Sequence, residues 1–199
     1  MARQKVDARR EEILEAAAAE VTRRGFARTR AADIASALGV STALLFYHFG
    51  TKEQLFAAAL EHAVAKDLAR LDATVAKAKG PADGVRRILA LYSPQGDAAG
   101  WTIWVDAWAE SLREPELRET SRRLDVRWKD VLAEQISAGV ADGVFTCDDP
   151  DAAAWRLSAL LDGLAVQVMV HRSLTKAQLA VWVREAAARE LGCGPDVLR

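Results

Sequence analysis

The stretch that most constrains this chain is 29–52, Thr-Arg-Ala-Ala-Asp-Ile-Ala-Ser-Ala-Leu-Gly-Val-Ser-Thr-Ala-Leu-Leu-Phe-Tyr-His-Phe-Gly-Thr-Lys, two short helical patterns on either side of a glycine. Thr29 is placed to cap the first helix, along which Ile34, Ala35 and Leu38 share one face. Gly39 ends that helix, because glycine enters the left-handed region without a Cβ penalty, and Val40 plugs the turn. Ser41 caps a second helix over 42–48, whose Leu45 and Phe49 turn back onto Ile34 and Leu38. Helices this short do not hold alone in water, so they need a third as support. The small polar face they leave free is shaped for a groove. The pattern predicts a helix-turn-helix whose second helix is the recognition helix.

A recognition helix meets base edges with short side chains at its N-terminal end, where Ser41, Thr42, Ala43 and Leu44 stand. Phosphate contacts need donors on the rim, a role that suits Thr29, Arg30, Tyr47, His48 and Lys52. Phe46 and Phe49 are expected in the core, and His48 fits either place.

Several strings here are similar to the N-terminal signature of the TetR family of bacterial repressors. They are Asp33-Ile34-Ala35, Leu38-Gly39-Val40-Ser41, Phe46-Tyr47-His48-Phe49 and Thr51-Lys52-Glu53-Gln54-Leu55, within a match that runs without a gap from Ile13 to Leu60. The resemblance implies that Thr42, Ala43 and Leu44 read bases while Tyr47 and Lys52 hold the DNA backbone. Two departures matter. Phe46 replaces a frequent Tyr and removes a hydroxyl donor; Leu44 replaces a frequent Thr or Ser and offers only apolar contact, such as to a thymine methyl. Val21 likewise stands where a Phe is frequent, a loss of volume that Phe26 is placed to make up.

At 199 residues, 51% hydrophobic and 28% charged, the chain has the composition of an ordered globular protein with one good core and a small satellite domain. The net charge of −1 argues against indiscriminate coating of nucleic acid. Residues 1–30, however, carry eight basic against five acidic side chains, a local positive end that suits a DNA contact. The N-terminus has no apolar stretch of the secretory kind, and the most apolar run, Leu157–Val170, is interrupted by Asp162 and Gln167. The expectation is a cytoplasmic protein with no membrane partner. Cys147 and Cys193 are far apart, without metal-ligand spacing. Neither a metal nor another cofactor is expected.

Periodicity predicts an all-α chain of about nine helices. The first spans 7–24 with Asp7 as cap and Ile13, Leu14, Ala17 and Val21 as its stripe. The fourth is a long rod over 52–78, opened by a Thr51/Gln54 capping box. Further helices are predicted over 82–92, 98–113, 115–141, 150–171 and 175–191, with Asp149 capping one and a Thr175/Gln178 box opening the last. All five prolines sit at boundaries: Pro81, Pro94 in a Ser-Pro-Gln-Gly loop, Pro115, Pro150, and Pro195 after the last helix. The implied organisation is a three-helix DNA-binding domain over 1–51, a helical ligand-binding and dimerisation domain over 52–194, and a tail.

In the second domain, Trp101, Trp104 and Trp108 share one helix face, with Asp106 and Glu110 on the opposite side, and Trp128 lies on the next helix. These tryptophans admit two readings: a cage for a cation against their ring faces, or core filling. Trp-Val-Asp-Ala-Trp-Ala-Glu and the later Asp-Gly-Leu resemble the C-terminal half of BetI-type members of the family, which include sensors of a quaternary ammonium compound. The last two helices are apolar on more than one side. Leu157, Leu161, Leu164, Ala165 and Val168, with Leu179, Trp182, Val183 and Ala186, are the expected homodimer surface, forming a four-helix bundle with a twin subunit. Asp162 lies inside that surface and is expected to pair with an Arg or a helix end.

The functional expectation is a dimeric repressor that binds a palindromic operator in double-stranded DNA and is released by a small-molecule effector. The alternative is a constitutive DNA-binding regulator of the same fold with a filled core. An enzyme is not supported. The three histidines, His48, His62 and His171, are dispersed, and there is no phosphate-binding glycine loop.

Overall fold

A computed structural model of the chain describes residues 2–94, 99–194 and 196–199. The Gln95–Gly96 part of the expected loop, Ala98 at the start of the sixth helix, and the Pro195 stop lie outside the described residues. Among the described residues there are nine α-helices and no strand: α1 Ala2–Arg24, α2 Ala31–Leu38, α3 Thr42–Phe49, α4 Lys52–Ala76, α5 Pro81–Tyr92, α6 Ala99–Ser111, α7 Pro115–Ala141, α8 Pro150–Val166 and α9 Lys176–Glu190. A π-helical turn, Gln167–His171, follows α8 and ends at Arg172, which takes the left-handed conformation at φ 53°.

Two compact units make up the chain. One is Met1–Asp67 with Ala99–Leu124, and the other is Leu68–Ala98 with Asp125–Arg199. Of the three divisions, two fall inside α4 and α7 and one just before α6, and none at the 51/52 boundary expected from the sequence.

In the first unit, α2 packs on α1 and α3 on α2, and the chain turns through 109° between α2 and α3, as a helix-turn-helix requires. Ile13, Ala17, Val21, Phe26, Ile34, Leu45 and Phe49 are all buried. Phe26 is buried and stands edge-on to Phe56 at 5.7 Å. Gly39 adopts φ 66°, and the next N–H, from Val40, reaches the Ala35 carbonyl at 3.0 Å. Ser41 caps α3 by accepting from the Leu44 N–H at 3.3 Å. The Thr51/Gln54 box forms in both directions, at 3.1 and 3.2 Å.

Two expected caps are replaced. Asp7 lies exposed inside α1, because nothing in the preceding residues breaks the helix and it starts at Ala2. Thr29 is fully buried and not the cap of α2; that position falls to Arg30, in extended geometry, whose N–H donates to the Asp33 carboxylate at 2.9 Å.

In the second unit, α9 packs on α8 and on α5. Asp149 caps α8 through the Ala152 N–H at 2.9 Å, and Thr175 and Gln178 form the expected box at α9. Leu157, Leu161, Ala165, Leu179 and Val183, expected at a subunit interface, are buried within the chain itself. Periodicity showed that α8 and α9 are apolar on several sides, but it does not tell which side meets the rest of the same chain. Leu164, Val168 and Ala186 are half-buried, and Trp182 stays 43% exposed. Pro150–His171 is also long and apolar enough to cross a membrane by length and composition alone.

Candidate DNA interface and sensor residues

The exposed end of α3 is built by its cap. The Ser41 hydroxyl is committed to the helix start, which leaves Thr42 and Ala43 exposed and Leu44 half-buried on the first turn. Leu45 and Phe49 point inward and anchor the helix, and the Arg10 guanidinium lies 4.5 Å above the Phe49 ring. Tyr47 is 78% exposed, with its ring edge-on to the half-buried His48 at 5.3 Å. Arg30 and Lys52 are exposed, and the Lys52 ammonium rests 4.9 Å over Phe56. Short side chains at the helix start and long donors around them are the arrangement that reads a major groove and grips its rim.

Two expectations change. The Thr29 hydroxyl donates to the Gly25 carbonyl at 2.7 Å from a fully buried position, so this side chain staples the α1–α2 turn and offers nothing to a phosphate. Phe46, expected in the core, is 37% exposed on α3 next to Tyr47 and adds an apolar contact to the outward face. Phe46 and Phe49 stand three positions apart on an eight-residue helix, too short a stripe for periodicity to show which aromatic turns inward.

On α6 the structure brings three of the four expected tryptophans together. Trp108 is edge-on to Trp101 at 5.8 Å and tilted against Trp104 at 6.1 Å, and all three are half-buried. The opposite side of α6 carries a contact that sequence reasoning missed. The Phe26 N–H donates to Asp106 Oδ2 at 2.5 Å. Gly25, at φ 85°, lets the backbone come this close, since a Cβ there would lie 3.1 Å from Asp106 Oδ1. The wheel of α6 told that Asp106 opposes the tryptophans; only the fold supplies its partner, 80 positions away.

Trp128, the fourth expected tryptophan, belongs to the second unit and packs edge-on to Tyr92 at 5.0 Å. It is 6% exposed, and its indole Nε1–H finds no acceptor among the described residues. The Tyr92 hydroxyl donates to Asp162 Oδ1 at 2.9 Å. Asp162 thus pairs with a phenol, not with the expected Arg or helix end. The buried Lys129 ammonium binds the Asp125 carboxylate and lies 4.4 Å over the Trp155 ring. Desolvation pushes Asp162 up to about 6; the hydrogen bond from Tyr92 and the Lys129 charge pull it down, and Asp125 pushes it further up. Burial raises Tyr92 well above the ordinary phenol range, and the Asp162 and Asp125 charges add to that.

The exposed recognition helix on a three-helix base defines a helix-turn-helix DNA-binding regulator. Residues 13–59 match the family model described as bacterial regulatory proteins of the tetR family, and residues 81–192 match that of the BetI-type transcriptional repressor C-terminal domain. The HTH-type transcriptional regulator BetI of Brucella suis is 29% identical over 183 residues, covering 80% of this chain and 91% of that protein. A transcriptional regulator from Saccharomonospora viridis, solved in complex with choline, superimposes with a TM-score of 0.80 at 32% identity, covering 90% of this chain and 95% of that one. A TetR-family regulator from Rhodococcus sp. superimposes with a TM-score of 0.78 at 25% identity, covering 92% of this chain and 98% of that one. The chain belongs to the TetR family of bacterial transcriptional regulators, with a C-terminal half of the BetI type.

The raised Asp162 has a consequence for stability. The folded chain holds this proton more tightly than the unfolded chain, where an Asp titrates at roughly 3.9. Its contribution therefore favours folding below about pH 4 and is lost as the pH rises through about 6. Asp162→Asn keeps an oxygen for the Tyr92 hydroxyl. It is expected to raise stability at neutral pH by roughly 1–3 kcal/mol and to give no gain near pH 4. Thermal unfolding at the two pH values checks this, and a variant less stable at neutral pH than the parent would make the carboxylate a structural tie.

Proposed function

We propose that the protein is a homodimeric cytoplasmic repressor that binds a palindromic operator through α3 and is released by a small cationic effector. The observation that carries the reading is the outward first turn of α3, with Thr42 and Ala43 exposed and Tyr47, Arg30 and Lys52 around it. The choline in the Saccharomonospora viridis regulator supports a quaternary ammonium as the effector class, and so do the clustered rings of Trp101, Trp104 and Trp108.

A dimer supports operator recognition because two recognition helices about 34–36 Å apart enter successive major grooves. With half of the expected interface residues taken up inside the chain, the surface left for a twin is the outer side of α8 and α9. Leu160, Leu164, Trp182 and Ala186 lie on it, and Gly163 between them is exposed and allows close approach.

Release then follows from α6. One side of this helix carries the tryptophans and the other holds the α1–α2 turn through Asp106. An effector that binds better when α6 is displaced pulls on the backbone of Phe26, next to the core that seats α2 and α3. It acts only through its differential affinity for the two states, and a coupling of about 1–3 kcal/mol weakens operator binding by roughly 5- to 150-fold.

Lys52→Ala is expected to weaken binding to all sequences and to lower the salt slope by about one unit. Thr42 or Leu44 substitutions are expected to change base preference by roughly 1–3 kcal/mol per altered contact. Anisotropy titrations with operator and scrambled duplexes at several salt concentrations separate the two. A sequence-specific effect of Lys52→Ala together with indifference to Thr42 would reverse the orientation of α3.

Trp182→Arg on the exposed surface is expected to yield folded monomers in sedimentation and to abolish tight operator binding. Unchanged dimers would move the interface elsewhere.

Asp106→Ala is expected to leave effector binding intact while reducing release from the operator at saturating effector. Full release from this variant would take α6 out of the coupling.

A further inference from the structure

His62, one of the three histidines dispersed along the sequence, is brought against α1 by the fold. It stands on α4 within the first unit, and its side chain is 14% exposed. Its Nδ1 lies 3.4 Å from Glu11 Oε1. Glu15 follows Glu11 one turn along α1, and one carboxylate oxygen from each lies with a His62 ring nitrogen so that all three are within 4.8 Å of one another. Two like charges four positions apart on one helix repel. Other acids of α1 are answered by arginines: Glu12 by Arg9 at 2.6 Å, and Glu20 by Arg23 and Arg24 at 2.6 and 2.7 Å. Glu11 has the imidazole instead, and Glu15 makes no ion pair among the described residues.

The separation of the imidazole from the Glu11 oxygen tells what the pair is built for. An N–H···O hydrogen bond spans about 2.7–3.2 Å. Two ligands about 2.0–2.2 Å from one zinc ion, at a tetrahedral angle to each other, stand about 3.4 Å apart. The observed 3.4 Å matches the second arrangement. We propose that Glu11, Glu15 and His62 form a binding site for a divalent transition metal of the zinc class, which clasps α1 to α4. Two carboxylates balance the charge of a divalent ion, and the imidazole nitrogen favours zinc over magnesium and calcium, which take oxygen ligands. The half-buried His62 is the fixed ligand, and the exposed Glu11 and Glu15 close on the ion by turning their own side chains. Ala18, Ala19 and Ala63 line the adjoining groove, low enough for water to reach the fourth position. On that groove Arg23 is taken up by Glu20, while the exposed Lys66 adds a positive charge that opposes the ion. The clasp fixes α1, the support of α2 and α3, to α4. The sequence hides it because its ligands come from helices far apart in the chain.

Untagged full-length protein, stripped with chelator and dialysed, is titrated calorimetrically with ZnCl2 and MgCl2, and with CoCl2 as an absorbance probe. One zinc ion per chain is expected, with visible cobalt absorption and no magnesium binding. Glu11→Gln, which keeps the shape of the side chain, and His62→Ala are each expected to weaken zinc about tenfold or more. Lys66→Gln is expected to tighten it. The double variant His171→Ala, Cys193→Ser leaves it unchanged, which separates this site from donors elsewhere. Thermal unfolding distinguishes a metal site from a plain ion pair: zinc raises the midpoint of the parent and not of Glu11→Gln, whereas an ion pair alone lowers the variant's midpoint equally with and without zinc. Should His62→Ala fail to fold, Glu11→Gln and Lys66→Gln carry the test. No zinc uptake by the parent at about 0.1 mM, or uptake untouched in Glu11→Gln, overturns the assignment.

Discussion

The DNA-facing surface depends on one constraint: α2 and α3 are eight residues each, too short to persist without tertiary support. Ile34 and Ala35 on one, and Leu45 and Phe49 on the other, are buried against the base that α1 supplies with Ile13, Ala17 and Val21. That inward face takes Leu45 and Phe49, and the outward side keeps the small Thr42 and Ala43, the half-buried Leu44, the apolar Phe46 and the polar-tipped Tyr47. The short length that makes the helices dependent on α1 also keeps the reading surface narrow, about the width of a groove.

The same dependence explains why the α1–α2 turn is so heavily tied. Gly25 ends α1 with its N–H on the Val21 carbonyl at 2.7 Å, Thr29 returns its hydroxyl to Gly25, and Asp106 accepts from Phe26. Three bonds within five residues fix the point where the chain leaves α1 and enters the helix-turn-helix. A tie made by a neighbouring helix is the one a signal can reach. The other two are local to the turn and cannot report on anything outside it.

Local chemistry was largely legible in the sequence. The glycine at 39, the caps at Ser41 and Asp149 and both capping boxes form as their residues predict, because each depends on neighbours within four positions. What failed depended on burial or on partners elsewhere in the chain. Thr29 has the chemistry of a cap, but from a fully buried position its hydroxyl donates back to the Gly25 carbonyl. Leu161 and Ala165 have the composition of an interface, but α9 of the same chain claims them. Asp162 was visible as an oddity in an apolar helix, while its partner Tyr92, 70 positions earlier, was not.

Asp162 also decides how α8 reads. By length and composition Pro150–His171 passes for a membrane span. Yet its middle carries a carboxylate, which costs about 2.5–3.5 kcal/mol at the centre of a bilayer on insertion scales. Here that carboxylate has a phenol to bond, and the adjoining turns bury Leu157, Leu161 and Ala165 within the unit that also holds α9. The helix is apolar because it is covered on the α9 side and offers a second apolar side outward, and it is interrupted where Asp162 accepts from the Tyr92 hydroxyl. A helix bundle can satisfy all three demands at once, since each turn faces a different neighbour. A lipid environment surrounds every turn alike and cannot. The hydropathy of α8 is therefore the signature of a core helix with one polar task, and Asp162 is that task.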